Sequence, residues 1–378
     1  MVRRSKVEYL RAILSRYVKA GRRYKKRILD EFCKVCGYHR KHAIRLLNRK
    51  SQEARGRPGR PPAYGEAERA VLERLWLAAN RPCARRLKPM IALWLPFYQK
   101  EYGRVSVAVR EKLSAVSVRT LDRLMKPVRR RYGTRGKCGT RPGALLKQQI
   151  PIKTHHGDVK QPGVMEADTV AHGGNSLDGD FIWSLTLTDI FSGWTENRAV
   201  WNRGYEGIKE AIRDIEAHLP FRLAGFHSDN GGEFLNHHLI RYLQERQLPV
   251  ALTRGRPNHK DDTAHVEQKN YTHVRLLLGY DRLGDPQLLS VINRLYEAWG
   301  LYNNLFGASL KLVEKHREGA RYIKKYDAPQ TPCQRLIACS DLDQAKKTFL
   351  TELQCNVNPF ALKRQIDHLQ RQILCNPR

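Results

Sequence analysis

The chain has 378 residues, 41% of them hydrophobic, with 69 Lys and Arg against 37 Asp and Glu, a formal charge of +32. That length allows two to three domains, and the absence of any long apolar run excludes a membrane span. The first residues, MVRRSKVEYLRAILSRY, are charged throughout and predict no secretory leader, and eight scattered cysteines point to a reducing compartment rather than a disulfide framework. The charge is unevenly spread. Residues 1–150 hold 40 Lys and Arg against 10 Asp and Glu, while residues 151–378 hold 29 against 27. So basic a segment repels itself unless it meets a polyanion, which makes nucleic acid the expected partner.

In chain order, Val7, Leu10, Ile13, Leu14 and Val18 predict a first helix over 5–20. Ile28, Leu29, Phe32 and Val35 form a second stripe, Gly37 breaks it, and Ala43, Ile44, Leu46 and Leu47 resume it. Two helices joined at a glycine, with Arg40, Lys41 and Arg45 on the second, suggest a helix-turn-helix within a domain over 1–50. An ordinary helical hairpin is the alternative. Cys33, Cys36, His39 and His42 are spaced too tightly for the usual zinc finger, so the cysteines are expected to pack between helices.

Residues 51–64, SQEARGRPGRPPAY, read as a basic Gly/Pro linker in which Arg57 and Arg60 resemble the AT-hook that lies in a narrow minor groove. A second helical DNA-binding domain is expected over 65–131. Val71, Leu72, Leu75 and Trp76 mark one helix and Met90 to Tyr98 another. In SVRTLDRLMKPVRRR, Ser117 is a candidate N-cap, Arg119, Arg123 and Lys126 form a polar side, and Pro127 is expected to kink or end the helix. Residues 132–160 read as a second linker.

From about 161 the texture becomes α/β. VMEADTVA, DFIWSLTLTD and TENRAVW read as strands, followed by a helix over 205–218, a strand in FRLAGFHSD, a helix over 234–246, a strand in LPVALT, and a long helix starting near Asp262. Another helix over 286–305 has Leu288, Val291, Ile292, Leu295, Tyr296 and Trp299 as its buried stripe. The expected fold is therefore multidomain: all-α modules, then a mixed five-stranded sheet flanked by helices over 161–307, then a basic tail over 308–378 whose terminal helix carries Leu362, Ile366, Leu369 and Ile373.

Three carboxylates fall where chain ends converge. Asp168 is in a strand, Asp229 follows a strand in HSDNGGEF, and Glu267 is on a helix in HVEQKN. Acidic oxygens suit hard cations such as Mg²⁺ or Mn²⁺, and a pair of ions would clamp both oxygens of a phosphoryl displacement. Asp261 or Asp262 could replace Glu267, although both fall where helix N-caps belong. Glu166 shares a strand face with Asp168 and is its nearest challenger, able to assist there, but reads first as a rim residue, and Asp189 reads as a turn residue.

HSDNGGEF, 37 residues between Asp229 and Glu267, and HVEQKN together resemble the DDE core of insertion-sequence transposases and retroviral integrases over roughly residues 160–305. The resemblance implies a ribonuclease-H-like fold, with Asp168, Asp229 and Glu267 as catalytic metal ligands for two ions. It implies DNA strand cleavage and strand transfer at the ends of a mobile element in a bacterial nucleoid, by at least a dimer on DNA. Lys269 and Asn270, beside the glutamate, become candidate contacts to DNA. A catalytically silent DNA-binding descendant is the alternative function.

Overall fold

In the computed structural model, the described residues are 3–48, 63–132, 159–176, 178–228, 234, 237–254, 264–318 and 321–374. They form two compact units that divide at residue 63.

The first unit holds three helices, α1 (Arg3–Lys19), α2 (Arg22–Cys36) and α3 (Arg40–Leu47). Gly37 ends α2 at φ +64° and donates its N–H to the Cys33 carbonyl at 2.8 Å. That left-handed conformation favours glycine, so the break read from the sequence has a local cause. The core joins Ile13, Tyr17, Ile28, Leu29, Phe32, Cys36, Ala43 and Leu47. Val7, Val18, Val35 and Ile44, expected in the stripes, are exposed instead. At about 100° per residue, Cys36 falls nearer the centre of the α2 stripe and Val35 at its edge. Arg40, Lys41 and Arg45 are all exposed, with Arg40 paired to Asp30. Arg57 and Arg60 lie outside the described residues.

The second unit begins with α4 (Glu66–Ala78), α5 (Ala84–Tyr102), α6 (Val107–Ala115) and α7 (Val118–Arg131). The Ser117 hydroxyl accepts the Thr120 N–H at 3.1 Å, capping α7 as expected. Leu121, Leu124, Met125 and Val128 point inward, while Arg119, Arg123 and Lys126 are exposed. Pro127 does not end this helix, which runs on to Arg131. Burial of Val128 beyond it offsets the hydrogen bond a proline cannot make.

β1 (Val164–Ala171), β2 (Ile182–Asp189), β3 (Thr195–Trp201), β4 (Gly225–Ser228) and β5 (Ala251–Arg254) form a mixed sheet in the order β3-β2-β1-β4-β5. The first three strands are antiparallel, whereas β4 and β5 run parallel to β1. The expected five-stranded mixed sheet is therefore present. β4 starts later than its sequence suggests because the Ala224 and Gly225 N–H groups both turn to the Gly163 carbonyl. Gly163 itself has φ +118°, and a β-carbon there would lie 2.5 Å from the Arg222 carbonyl oxygen.

α8 (Tyr205–His218) packs on β3, and α9 (His237–Gln244) sits between β4 and β5 in the chain. A helical segment crosses β1 and β2. It comprises α10 (Ala264–Lys269), a π-helical turn over Asn270–Arg275, and α11 (Leu276–Leu278). α12 (Leu288–Phe306) buries Leu288, Ile292, Leu295, Tyr296 and Trp299 against β3 and α5.

The region expected as a tail is folded. A hairpin, β6 (Leu312–Glu318) and β7 (Arg321–Tyr326), precedes α13 (Pro332–Ala338), α14 (Gln344–Asn356) and α15 (Pro359–Leu374). Leu362, Ile366, Leu369 and Ile373 are buried where α15 packs on α12 and α5. One continuous hydrophobic core therefore joins α4–α7, the sheet and these C-terminal helices, and the boundary expected between 131 and 161 falls inside this unit.

Candidate active site

β1 presents Glu166 and Asp168 on one face, as two residues of strand separation requires. The helical segment from Ala264 lies across that face. Its Val266 N–H donates to Glu166 Oε2 at 2.9 Å, and four residues on, the Asn270 amide donates to Asp168 Oδ2 at 2.6 Å. Two residues of strand and four of helix both advance about 6 to 7 Å, so the two contacts form rungs between matched repeats. The other Asp168 oxygen accepts the N–H of Thr169 at 2.7 Å.

Glu267 lies between the two rungs on the same helix and is exposed. Its charge reaches Glu166. Burial pushes the Glu166 carboxyl up to about 8, the Val266 and His265 N–H groups oppose that rise, and Glu267 adds to it. Carboxylate oxygens such as those of Asp168 and Glu267 are hard donors of the kind that suits Mg²⁺ or Mn²⁺.

β4 runs beside β1 with Ser228 in register with Ala167. The next residue along, Asp229, lies outside the described residues, as do Asp261 and Asp262. Among the described residues, no group of three or more His, Cys, Asp and Glu converges to hold a metal.

Glu166 is not the rim residue its strand position suggested. It is 0% exposed and caps the first turn of α10. Its alternation with Asp168 was a usable signal for the shared face, but its burial depends on an N–H supplied 100 residues away. Asp189 is likewise more than a turn residue. It is wholly buried and accepts from the Gly163 N–H, the Ser192 N–H and the Ser192 hydroxyl.

Lys269 and Asn270 diverge although adjacent. Asn270 is committed to Asp168. Lys269 turns the other way and donates to the Gly193 carbonyl at 3.3 Å. Burial pushes its ammonium down to about 8, and Arg86 and Arg335 nearby add to the fall.

No helix among the described residues is long and apolar enough to cross a membrane. No family model matches the chain. Two solved structures are similar at 16% identity. One is the catalytic core domain of BIV integrase, covering 36% of this chain and 72% of that one at a TM-score of 0.23. The other is a simian T-cell lymphotropic virus intasome in complex with PP2A regulatory subunit B56 gamma, covering 48% of this chain and 59% of that one at a TM-score of 0.30. The site rests on this chain's own geometry and not on those overlaps. An uncharacterized protein of Sinorhizobium fredii, y4rM, is 40% identical over 337 residues, which is 88% of this chain and 95% of that protein. This chain belongs to the same family as y4rM.

Proposed function

We propose that this chain is a DNA transposase with a ribonuclease-H-like catalytic core, binding the ends of a mobile element and carrying out metal-dependent strand cleavage and strand transfer. The observation that carries this reading is the pair of rungs that sets the Asp168 strand against the Glu267 helix, next to a strand whose last described residue, Ser228, directly precedes Asp229 in the chain.

In this reading Asp168, Asp229 and Glu267 hold Mg²⁺ or Mn²⁺. When bound, two such ions would supply charge stabilisation at the attacking and leaving oxygens. The chain's other residues set the geometry. Asn270 holds one Asp168 oxygen and so fixes the plane of that carboxylate. Glu166 pins the start of the helix and hence the height of Glu267 over the sheet. Holding side chains in place before the reaction is what lowers a barrier of this kind.

The exposed cations Arg40, Lys41 and Arg45 of α3, and Arg119, Arg123 and Lys126 of α7, suit phosphate contacts within helix-turn-helix modules, and Arg57 and Arg60 a minor-groove contact. Joining two element ends requires both to be held at once, which favours a homo-oligomer on DNA.

The test is a strand-transfer assay with labelled element ends and the full chain in Mg²⁺ or Mn²⁺. Wild type gives cleaved and joined product. Asp168→Asn, Asp229→Asn and Glu267→Gln each lower both by about three orders of magnitude, equivalent to several kcal/mol of transition-state stabilisation, while end binding persists. Wild type that binds ends without cutting them is a silent DNA-binding protein. Cleavage without joining makes it a nuclease.

A further inference from the structure

On the side of the α10 segment turned away from β1, the second unit holds a partly open cavity of about 790 Å³. His265, Gln268, Lys269, Thr272 and His273 line it along one helical face. Its opposite walls come from the loop before α5, from α12, and from the chain leading into β6. This volume is in the range of small-ligand sites.

Cations from three separate stretches of chain meet here. Lys269, Lys311 and Arg86 all line the cavity. The turn between β2 and β3 offers three successive carbonyls to basic groups. Lys311 donates to Phe191, Arg335 to Ser192 at 3.3 Å, and Lys269 to Gly193 at 3.3 Å. Arg86 donates to the Ala308 carbonyl at 2.6 Å.

Carbonyls orient these groups but do not neutralise them. Among the described residues no carboxylate lies within ion-pair distance of Lys269, Lys311 or Arg86. Asp327 is taken by Arg335, Asp367 by Lys363, and the Asp189 oxygens by Gly163 and Ser192. Burial pushes both Lys311 and Arg86 down from their ordinary values, with Arg335 adding to the fall of Lys311 against the pull of Asp189 and Asp327. Placing three cations without a direct ion-pair partner among the described residues around a concave, partly desolvated space carries a cost that a bound anion removes.

We infer that this cavity is a phosphate-binding pocket, distinct from the carboxylate site across the helix, in which Lys269, Lys311 and Arg86 receive a phosphate group. Arginine and lysine are the ordinary partners of phosphate, and preset donors cost little reorganisation on binding. The volume exceeds that of a single phosphate and admits a polyphosphate or the 5′-phosphorylated end of a nucleic-acid strand. The inference concerns the other face of the helix and stands without the transposase reading.

Bulk binding cannot test it, because the basic first 150 residues attract any polyanion. The test is residue-resolved acylation of lysine amines on the full chain, read by mass spectrometry. Rates at Lys269 and Lys311 are taken relative to exposed Lys346, with three probes: tripolyphosphate, and one short oligonucleotide carrying either a 5′-phosphate or a 5′-hydroxyl. Tripolyphosphate is expected to protect both lysines. Arg86→Gln, checked for an unchanged melting temperature, raises the half-protecting concentration about tenfold, as loss of one charge-assisted contact does.

Protection by the 5′-phosphate oligonucleotide and not its 5′-hydroxyl twin assigns the pocket to strand ends. Equal protection by both assigns it to backbone phosphates, and protection by tripolyphosphate alone assigns it to small phosphorylated ligands. Unchanged acylation with all three probes overturns the inference. So does a Lys269 that resists acylation in the free chain, or Arg86→Gln with undiminished protection. None of these outcomes depends on strand-transfer activity, so failure here and failure of the transposase reading are separately visible.

Discussion

The two sides of the Ala264–Leu278 segment meet chemically opposite groups, carboxyls on one and basic side chains on the other. Toward β1 it meets Glu166 and Asp168, and toward the cavity it contributes Lys269 alongside Arg86 and Lys311. Adjacent residues make the division, since Asn270 reaches Asp168 while Lys269 turns about 100° away. A chain shaped for stability alone would set the lysine on the aspartate. Here a neutral amide donates to Asp168, while the adjacent Lys269 faces the cavity. The π-helical turn begins at Asn270, and such turns are frequent at functional sites because they re-aim side chains within a helix.

After the carboxylate substitutions above, a large effect should come from breaking the acidic side at Glu166. Glu166→Ala leaves the buried Val266 N–H without its acceptor, which costs about 1–3 kcal/mol. It also frees the start of the helix that carries Glu267, so strand transfer should fall further than stability explains. Glu166→Gln keeps an acceptor oxygen and should restore most of both. Urea unfolding beside the strand-transfer assay checks this. Loss in Glu166→Gln as deep as in Glu166→Ala would mean that the charge matters and not the cap.

How much of this was legible follows from where each signal resides. β1, β2, β3, α8 and α12 were readable because their apolar periods are complete within a single segment. Ser117 was readable because a cap is a local bond. The carboxylate motif could be proposed from sequence because its spacing is linear, and Asp229 lies outside the described residues. The cavity was not readable. Arg86, Lys269 and Lys311 are far apart in sequence, and only the packing of α5, α10 and the β6 hairpin brings them together. The C-terminal region looked like a tail because its hairpin is short and highly charged, with no alternating apolar face. Glu166 looked like a rim residue because a strand carboxylate is ordinarily solvated, and nothing local announces the amide that pays for its burial.

Each side of the helix also rests on a histidine that must stay neutral. His172, at the end of β1, is wholly buried with Nε2 2.8 Å from the Ser184 hydroxyl, and burial pushes it down to about 3, with Arg275 adding to the fall. His273, lining the cavity, is held well below its ordinary value by burial, with Lys269 and Arg86 adding. A folded-state pKa below the unfolded one gives stability that is present above about 6.5 and lost as pH falls toward the folded value. Each histidine should cost up to about 1.4 kcal/mol per pH unit in that window. Urea midpoints from pH 7.5 to 5 measure the slope, and His172→Gln should flatten it by its own share. A variant with the same slope as wild type would show that His172 titrates normally in the fold.

The smallest effect separates the cavity's uncompensated cations from a compensated one. Lys363 also lines the cavity, but it is paired with Asp367 one helical turn along α15. An i, i+4 pair of this kind contributes roughly 0.3–0.5 kcal/mol, so Lys363→Ala should barely move the urea midpoint. If phosphate is drawn by charge that lacks a carboxylate, the half-protecting tripolyphosphate concentration at Lys269 should change by less than about twofold, against about tenfold for Arg86→Gln. A shift as large as that of Arg86→Gln would mean that the pocket senses total charge, and the distinction between paired and unpaired cations would fall with it. Asp367→Asn tests the converse: releasing Lys363 from its partner adds one uncompensated cation to the cavity and should tighten protection at Lys269.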